Sequence, residues 1–93
     1  MGRVPLEVMW YVYLLQNKKK DWYTRSTKDL KKRISNHNEG YNKSTKYGIG
    51  WELIYCEIGV NKNDARAREK YLKSGMGRRY LKNRLKFFFT QDF

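Results

Sequence analysis

Residues 22–38, WYTRSTKDLKKRISNHN, decide how the rest of the chain is read. Trp22, Tyr23 and Thr24 have the aromatic and β-branched character of a short strand, and Ser26 or Thr27 offers a hydroxyl to cap the helix that follows. In that helix, predicted over 28–39 and closed by Gly40, Leu30 and Ile34 are spaced i, i+4 to face a core. Arg33 and His37 repeat the spacing beside them. A tyrosine, an arginine and the chain's single histidine are therefore expected at one rim.

Upstream, residues 9–16 alternate as a strand, with Trp10, Val12 and Leu14 on one face and Tyr11, Tyr13 and Leu15 on the other. The polar turn at 17–20 returns the chain as a hairpin, which places the phenols of Tyr13 and Tyr23 on one side if both fall on the same face. Pairing register stays open at this level. Residues 1–8 read as a loose leader.

Downstream, 41–50 (YNKSTKYGIG) lacks either period and reads as a loop whose Lys43 and Lys46 suit phosphate contacts. A third strand over 51–58 sets Trp51, Leu53 and Tyr55 against Ile54, Cys56 and Ile58, and apolar residues on both faces predict a central position. Asn61 caps a second helix with Asp64 in its first turn, ending at Gly75 after Ser74. Ala65, Leu72 and, at i+4 from Ala65, Glu69 share its inward stripe. Nine basic residues lie between Arg66 and Lys86, with Glu69 the only acid among them. A third helix, predicted over 78–88, buries Tyr80, Leu81 and Leu85 and shows Arg79, Lys82 and Lys86 to solvent. The expected fold class is α+β: one domain over 1–93 with its core at about 9–88, a small three-stranded, mostly antiparallel sheet flanked by helices in the order β-β-α-β-α-α.

Charge sets the class of partner. With 21 Lys+Arg against 9 Asp+Glu the net charge is +12, and the pI of about 10.0 points to a polyanion. The apolar run at 8–15 is too short to span a bilayer, so no membrane partner is expected. Cys56 stands alone, which predicts no disulfide-linked partner and a cytoplasmic setting. Within a strand it reads as packing rather than as a nucleophile.

Tyr11-Val12-Tyr13, then Tyr23-Thr24-Arg25 ten residues on, then STKDLKKRISNHN with Arg33 and His37, and finally TKYGIGWELIYCE and AREKYLKSGMGRRYLKNRLK with Glu69, resemble the GIY-YIG endonuclease superfamily over about 10–86. The likeness is greatest to its small standalone members, similar to the N-terminal nuclease domain of UvrC. Two positions depart from the family pattern: Tyr11 replaces the glycine that opens the first signature, and Arg25 replaces the glycine that closes the second. A long cation at that strand end either adds a phosphate contact or fills part of the cleft.

The resemblance implies metal-dependent hydrolysis of DNA phosphodiester bonds, at single-stranded or branched structures, in repair or recombination. It implies that Glu69 binds Mg²⁺ or Mn²⁺, that Arg33 braces the phosphate oxygens, and that a tyrosine takes the water's proton with His37 assisting. Tyr23 is the preferred base and Tyr13 the positioning residue. Nucleic-acid contacts are expected from Arg25, Lys32, Lys43, Lys46, Arg68 and Lys73, with DNA as partner and RNA as the open alternative. Singly, each site residue has an ordinary reading: strand packing for the tyrosines, a solvated or phosphate-facing cation for Arg33, an ion pair for Glu69. The competing functions are a nucleic-acid-binding module of the same fold with catalysis weakened at Arg25, and an RNA-associated structural protein.

Overall fold

The computed structural model describes residues 8–38 and 50–91. Its elements are β1 (Trp10–Gln16), β2 (Trp22–Thr27), α1 (Leu30–Asn38), β3 (Glu52–Gly59), α2 (Lys62–Lys73), α3 (Gly75–Arg84) and a single turn, α4 (Lys86–Phe89). The α+β expectation holds, with an antiparallel three-stranded sheet ordered β2-β1-β3. Residues 1–7 of the predicted leader, Gly40, and residues 41–49 of the predicted loop, with Lys43 and Lys46, lie outside the described residues.

β1 is the central strand, and its alternation divides the interior into two layers. Val12 and Leu14 pack with Ala65 and Leu72 of α2 and Leu81 of α3, while Tyr13 and Leu15 pack with Trp51 and with Leu30 and Ile34 of α1. The hairpin joining β1 to β2 is held by Asn17, whose Oδ1 accepts from the N–H groups of Lys19 (3.0 Å) and Asp21 (2.9 Å). This local bonding places Lys20 at φ 70°, in the left-handed region. Register now follows: Tyr13 pairs with Arg25 and Leu15 with Tyr23, so Tyr13 and Tyr23 are diagonal neighbours on the α1 face.

Several expectations are corrected. β2 runs to Thr27, because Ser26 and Thr27 still pair with Val12 and Tyr11. The cap of α1 is consequently Asp29, which accepts from the Lys32 N–H at 3.1 Å, while Thr27 accepts from the Asp29 N–H. β3 is an edge strand, not the central one. Its register shifts opposite Leu14 and Leu15, which pair with Tyr55 and Leu53 and leave Ile54 as the extra residue. Beyond this bulge the alternation changes phase: Trp51 joins the α1 layer while Ile54 and Tyr55 both pack toward α2 and α3.

Asn61 caps α2 as expected, its side chain accepting from Asn63 and Asp64 N–H groups. Gly75 does not end that helix in a left-handed turn. Ser74 closes α2 and opens α3 by accepting from the Gly77 N–H, so the third helix starts at Gly75 and stops at Leu85. Gly77 is required at this corner: a Cβ there would collide with the Tyr71 carbonyl oxygen and the Leu72 Cα.

Candidate active site

The two layers meet at the free edge of β2. Alternation sends Tyr23 and Arg25 toward α1, while Ser26, opposite Val12, points toward α2. A cleft of about 380 Å³ opens over that edge, lined by Tyr13, Tyr23, Arg25, Ser26, Arg33, Arg66 and Glu69. Residues distant in sequence converge here because helices sit on both sides of one short edge strand.

Behind the cleft floor stands His37. Leu30, Ile34 and His37 fall at i, i+4, i+7 on α1, so the imidazole belongs to the inward stripe and is only 1% exposed. Its Nε2 lies 3.2 Å from the Tyr13 hydroxyl, and the Tyr23 ring meets it edge-on at 4.6 Å between centroids. Burial, then the nearby cations Arg33 and Arg25, push the His37 pKa down. Burial first, then Tyr23, push the Tyr13 phenol up to about 12. Beside a protonated phenol the His37 tautomer sets the bond's direction: with the ring proton on Nδ1, Tyr13 donates and Nε2 accepts.

Glu69 projects from α2 with its side chain 15% exposed. Ser26 Oγ donates to Oε1 at 2.8 Å, Lys73 Nζ donates to Oε2 at 2.7 Å, and Arg25 Nη1 stands 3.8 Å from Oε2. Burial works against its charged form. The hydrogen bonds from Lys73 and Ser26, with the charges of Lys73 and Arg25, outweigh that and hold its carboxyl below the usual carboxylate range. Arg25 bridges the two sides of the cleft, since its Nε also donates to the Tyr23 hydroxyl at 3.0 Å.

Among the described residues no three His, Cys, Asp or Glu side chains gather as a metal cluster. The cleft instead offers one carboxylate, Glu69, with the Ser26 hydroxyl beside it. Hard oxygen donors carrying one negative charge fit a Mg²⁺ or Mn²⁺ ion that retains most of its water, provided the Lys73 ammonium gives way.

Of the residues singled out from sequence, Tyr13, Tyr23, Arg25, Arg33 and Glu69 line the cleft, His37 backs it and Lys73 touches it through Glu69. Lys32 lies along an adjoining groove. Arg68 is elsewhere: its Nε donates to both Glu57 oxygens at 3.0 Å, and its guanidinium lies over the Tyr71 and Tyr80 rings. Two cleft residues, Ser26 and Arg66, are not among those singled out from sequence as site residues. Ser26 reads as a helix cap, whereas Arg66 is legible in principle, lying three residues before Glu69 and thus on the same helical face. Cys56 is half-buried on β3 with its thiol pushed up by burial, consistent with packing.

Known proteins share this arrangement of sequence. The family model described as the GIY-YIG catalytic domain matches residues 9–83, and the chain belongs to that family. A UPF0213 protein of Clostridium perfringens is 42% identical over 64 residues, covering 68% of this chain and 69% of its own length. UPF0213 proteins of Streptococcus pyogenes are 39% identical over a stretch of the same size. A UPF0213 protein of Bacillus halodurans, solved by NMR in solution, is 32% identical, with 78% of this chain and 81% of that one covered and a TM-score of 0.49. Membership in the family implies an endonuclease-type function, and no described helix is long and apolar enough to cross a membrane.

Proposed function

We propose that the chain is a divalent-metal-dependent endonuclease that hydrolyses DNA phosphodiester bonds, acting at single-stranded or branched structures in repair or recombination. The observation that carries this reading is the convergence on one cleft of a single carboxylate, three arginines and a tyrosine hydrogen-bonded to a buried histidine. Hydrolysis requires charge stabilisation of the phosphorane and a route for the water's proton. Arg33 and Arg66 supply the first as planar donors to the non-bridging oxygens. Glu69, with Ser26 beside it, would hold the ion, which when bound supplies Lewis acidity to the phosphoryl oxygens.

Tyr13 and His37 provide the proton route. As the water oxygen bonds to phosphorus and the bond to the 3′-oxygen breaks, the water's proton passes to the Tyr13 oxygen while the Tyr13 proton moves to Nε2 of His37. The leaving oxygen is protonated from solvent. Tyr23, tethered by Arg25, orients the water; the observed Tyr13–His37 bond favours this division of roles over Tyr23 as the base.

One observation favours the alternative of a binding module with weakened catalysis: Arg25 and Lys73 both crowd Glu69. The two readings separate in a cleavage assay with Arg25→Gly. Under the enzyme reading wild type cuts DNA with Mg²⁺ or Mn²⁺ present and Glu69→Ala does not; under the alternative only Arg25→Gly cuts.

A further inference from the structure

A second hollow, about 520 Å³, adjoins the cleft and shares Ser26, Arg33 and Arg66 with it. Its floor is the Trp10 indole at the start of β1, and its walls carry Lys28 from the β2–α1 junction, Lys32 from α1 and Lys62 from the start of α2. Lys28 Nζ and Lys62 Nζ stand over the ring, 5.6 Å and 5.8 Å from its centroid. Three separate elements thus deliver an aromatic face and two ammonium groups to one spot.

The lining of this groove carries five cations against one carboxylate, Asp29. Lys28, Lys32, Arg33, Lys62 and Arg66 line it, and no ion pair joins any of them to a described carboxylate. Asp29, its single acid, is occupied in capping α1 through Lys32. Five like charges held close repel one another, and a polyanion that enters relieves the repulsion while releasing its own counterions. Duplex backbone alone would need only the cations. A cationic track with an indole in its floor is the combination that holds unpaired bases, since phosphates follow the charges and a base stacks on the ring.

We infer that the groove built on Trp10, Lys28 and Lys62 is a binding subsite for the single-stranded segment next to the phosphate in the cleft. Lys28, Lys32 and Lys62 take its phosphates, and once the two ammonium groups turn to them the Trp10 face accepts one base. The inference rests on the nuclease reading for the position of the scissile phosphate, and it names the substrate class: a strand unpaired on one side of the cut.

The test is fluorescence anisotropy of a labelled single-stranded oligonucleotide and of a blunt duplex, in EDTA so that binding is read without cleavage. Wild type is compared with Lys28→Ala/Lys62→Ala, Trp10→Leu and Trp10→Phe. For the single strand, the double lysine variant should flatten the plot of log affinity against log salt by about 1.4, at about 0.7 for each phosphate left without its cation. Trp10→Leu should weaken single-strand binding by about five-fold or more, with Trp10→Phe recovering most of it, since a stacked base is worth at least that factor. Recovery by Phe separates stacking from a packing defect, because Trp10 also touches the core. Single-strand affinity and salt slope unchanged in the lysine variant, or equal losses on duplex and single strand, would overturn the subsite. Cleavage by Glu69→Ala in a parallel assay bears on the nuclease reading alone.

Discussion

At the scale of single residues, Glu69 and His37 carry the most consequence. Both Glu69 oxygens are engaged, and the Lys73 ammonium on Oε2 competes with any cation for the same lone pairs. Lys73 is 44% exposed, so solvent screening limits its hold to about 1 kcal/mol or less. Lys73→Ala should therefore tighten Mn²⁺ binding by about two- to five-fold, as read by titration calorimetry or by loss of the free-ion electron paramagnetic resonance signal. His37 is buried neutral, with its folded pKa below the ordinary 6.5, and faces Tyr13, Tyr23, Arg33 and Arg25. The unfolded chain then binds the extra proton first, so this contribution to stability is full above pH about 6.5 and is lost as pH falls toward the folded value. Thermal unfolding should shift to lower temperature between pH 7 and pH 5.5, about the range in which a histidine titrates, and His37→Gln should remove that slope. Glu69, whose folded pKa is depressed, adds a separate loss only as pH falls below its ordinary 4.5.

At the scale of elements, the corner between α2 and α3 is the most constrained joint. Gly77→Ala forces a methyl group against the Tyr71 carbonyl and the Leu72 backbone, with no flexible side chain to yield. A loss of about 3 kcal/mol, measured by urea unfolding, is expected. Lys20→Gly should do the reverse and raise stability by about 1 kcal/mol, by relieving a left-handed lysine in the hairpin. Such joints also mark the limit of what local sequence shows. Strand and helix identities are visible in local periodicity, as are the Asn61 cap and the inward stripe of Ala65 and Leu72. The central place of β1 is not, because the bulge at Ile54 makes an edge strand look apolar on both faces. The end of β2 is hidden because Ser26 and Thr27 have good capping chemistry, yet cross-strand pairing claims them first. The site follows the same logic: Arg33, His37 and Glu69 stand out as spaced polar residues, while Trp10, Lys28 and Lys62 need the tertiary fold to meet.

At the scale of the whole molecule, the charge of +12 is unevenly used. Arg68 ties β3 to α2 through Glu57, and Lys73 and Arg25 lean on Glu69, whereas the cations between α1 and α2 line the cleft and its adjoining groove. Nucleic-acid affinity should accordingly fall steeply with salt, and Arg68→Ala should cost stability more than binding. Above all, the cleft is held to hydrolyse DNA. The most direct test is nicking of end-labelled single-stranded, duplex, flap and branched DNA, with RNA alongside, in Mg²⁺, Mn²⁺ or EDTA, wild type beside Glu69→Ala. Cutting should need the ion, be strongest where a strand is unpaired, and disappear in Glu69→Ala while binding persists. Cutting that survives EDTA or the loss of Glu69, or bound DNA left intact at every ion concentration, would contradict it.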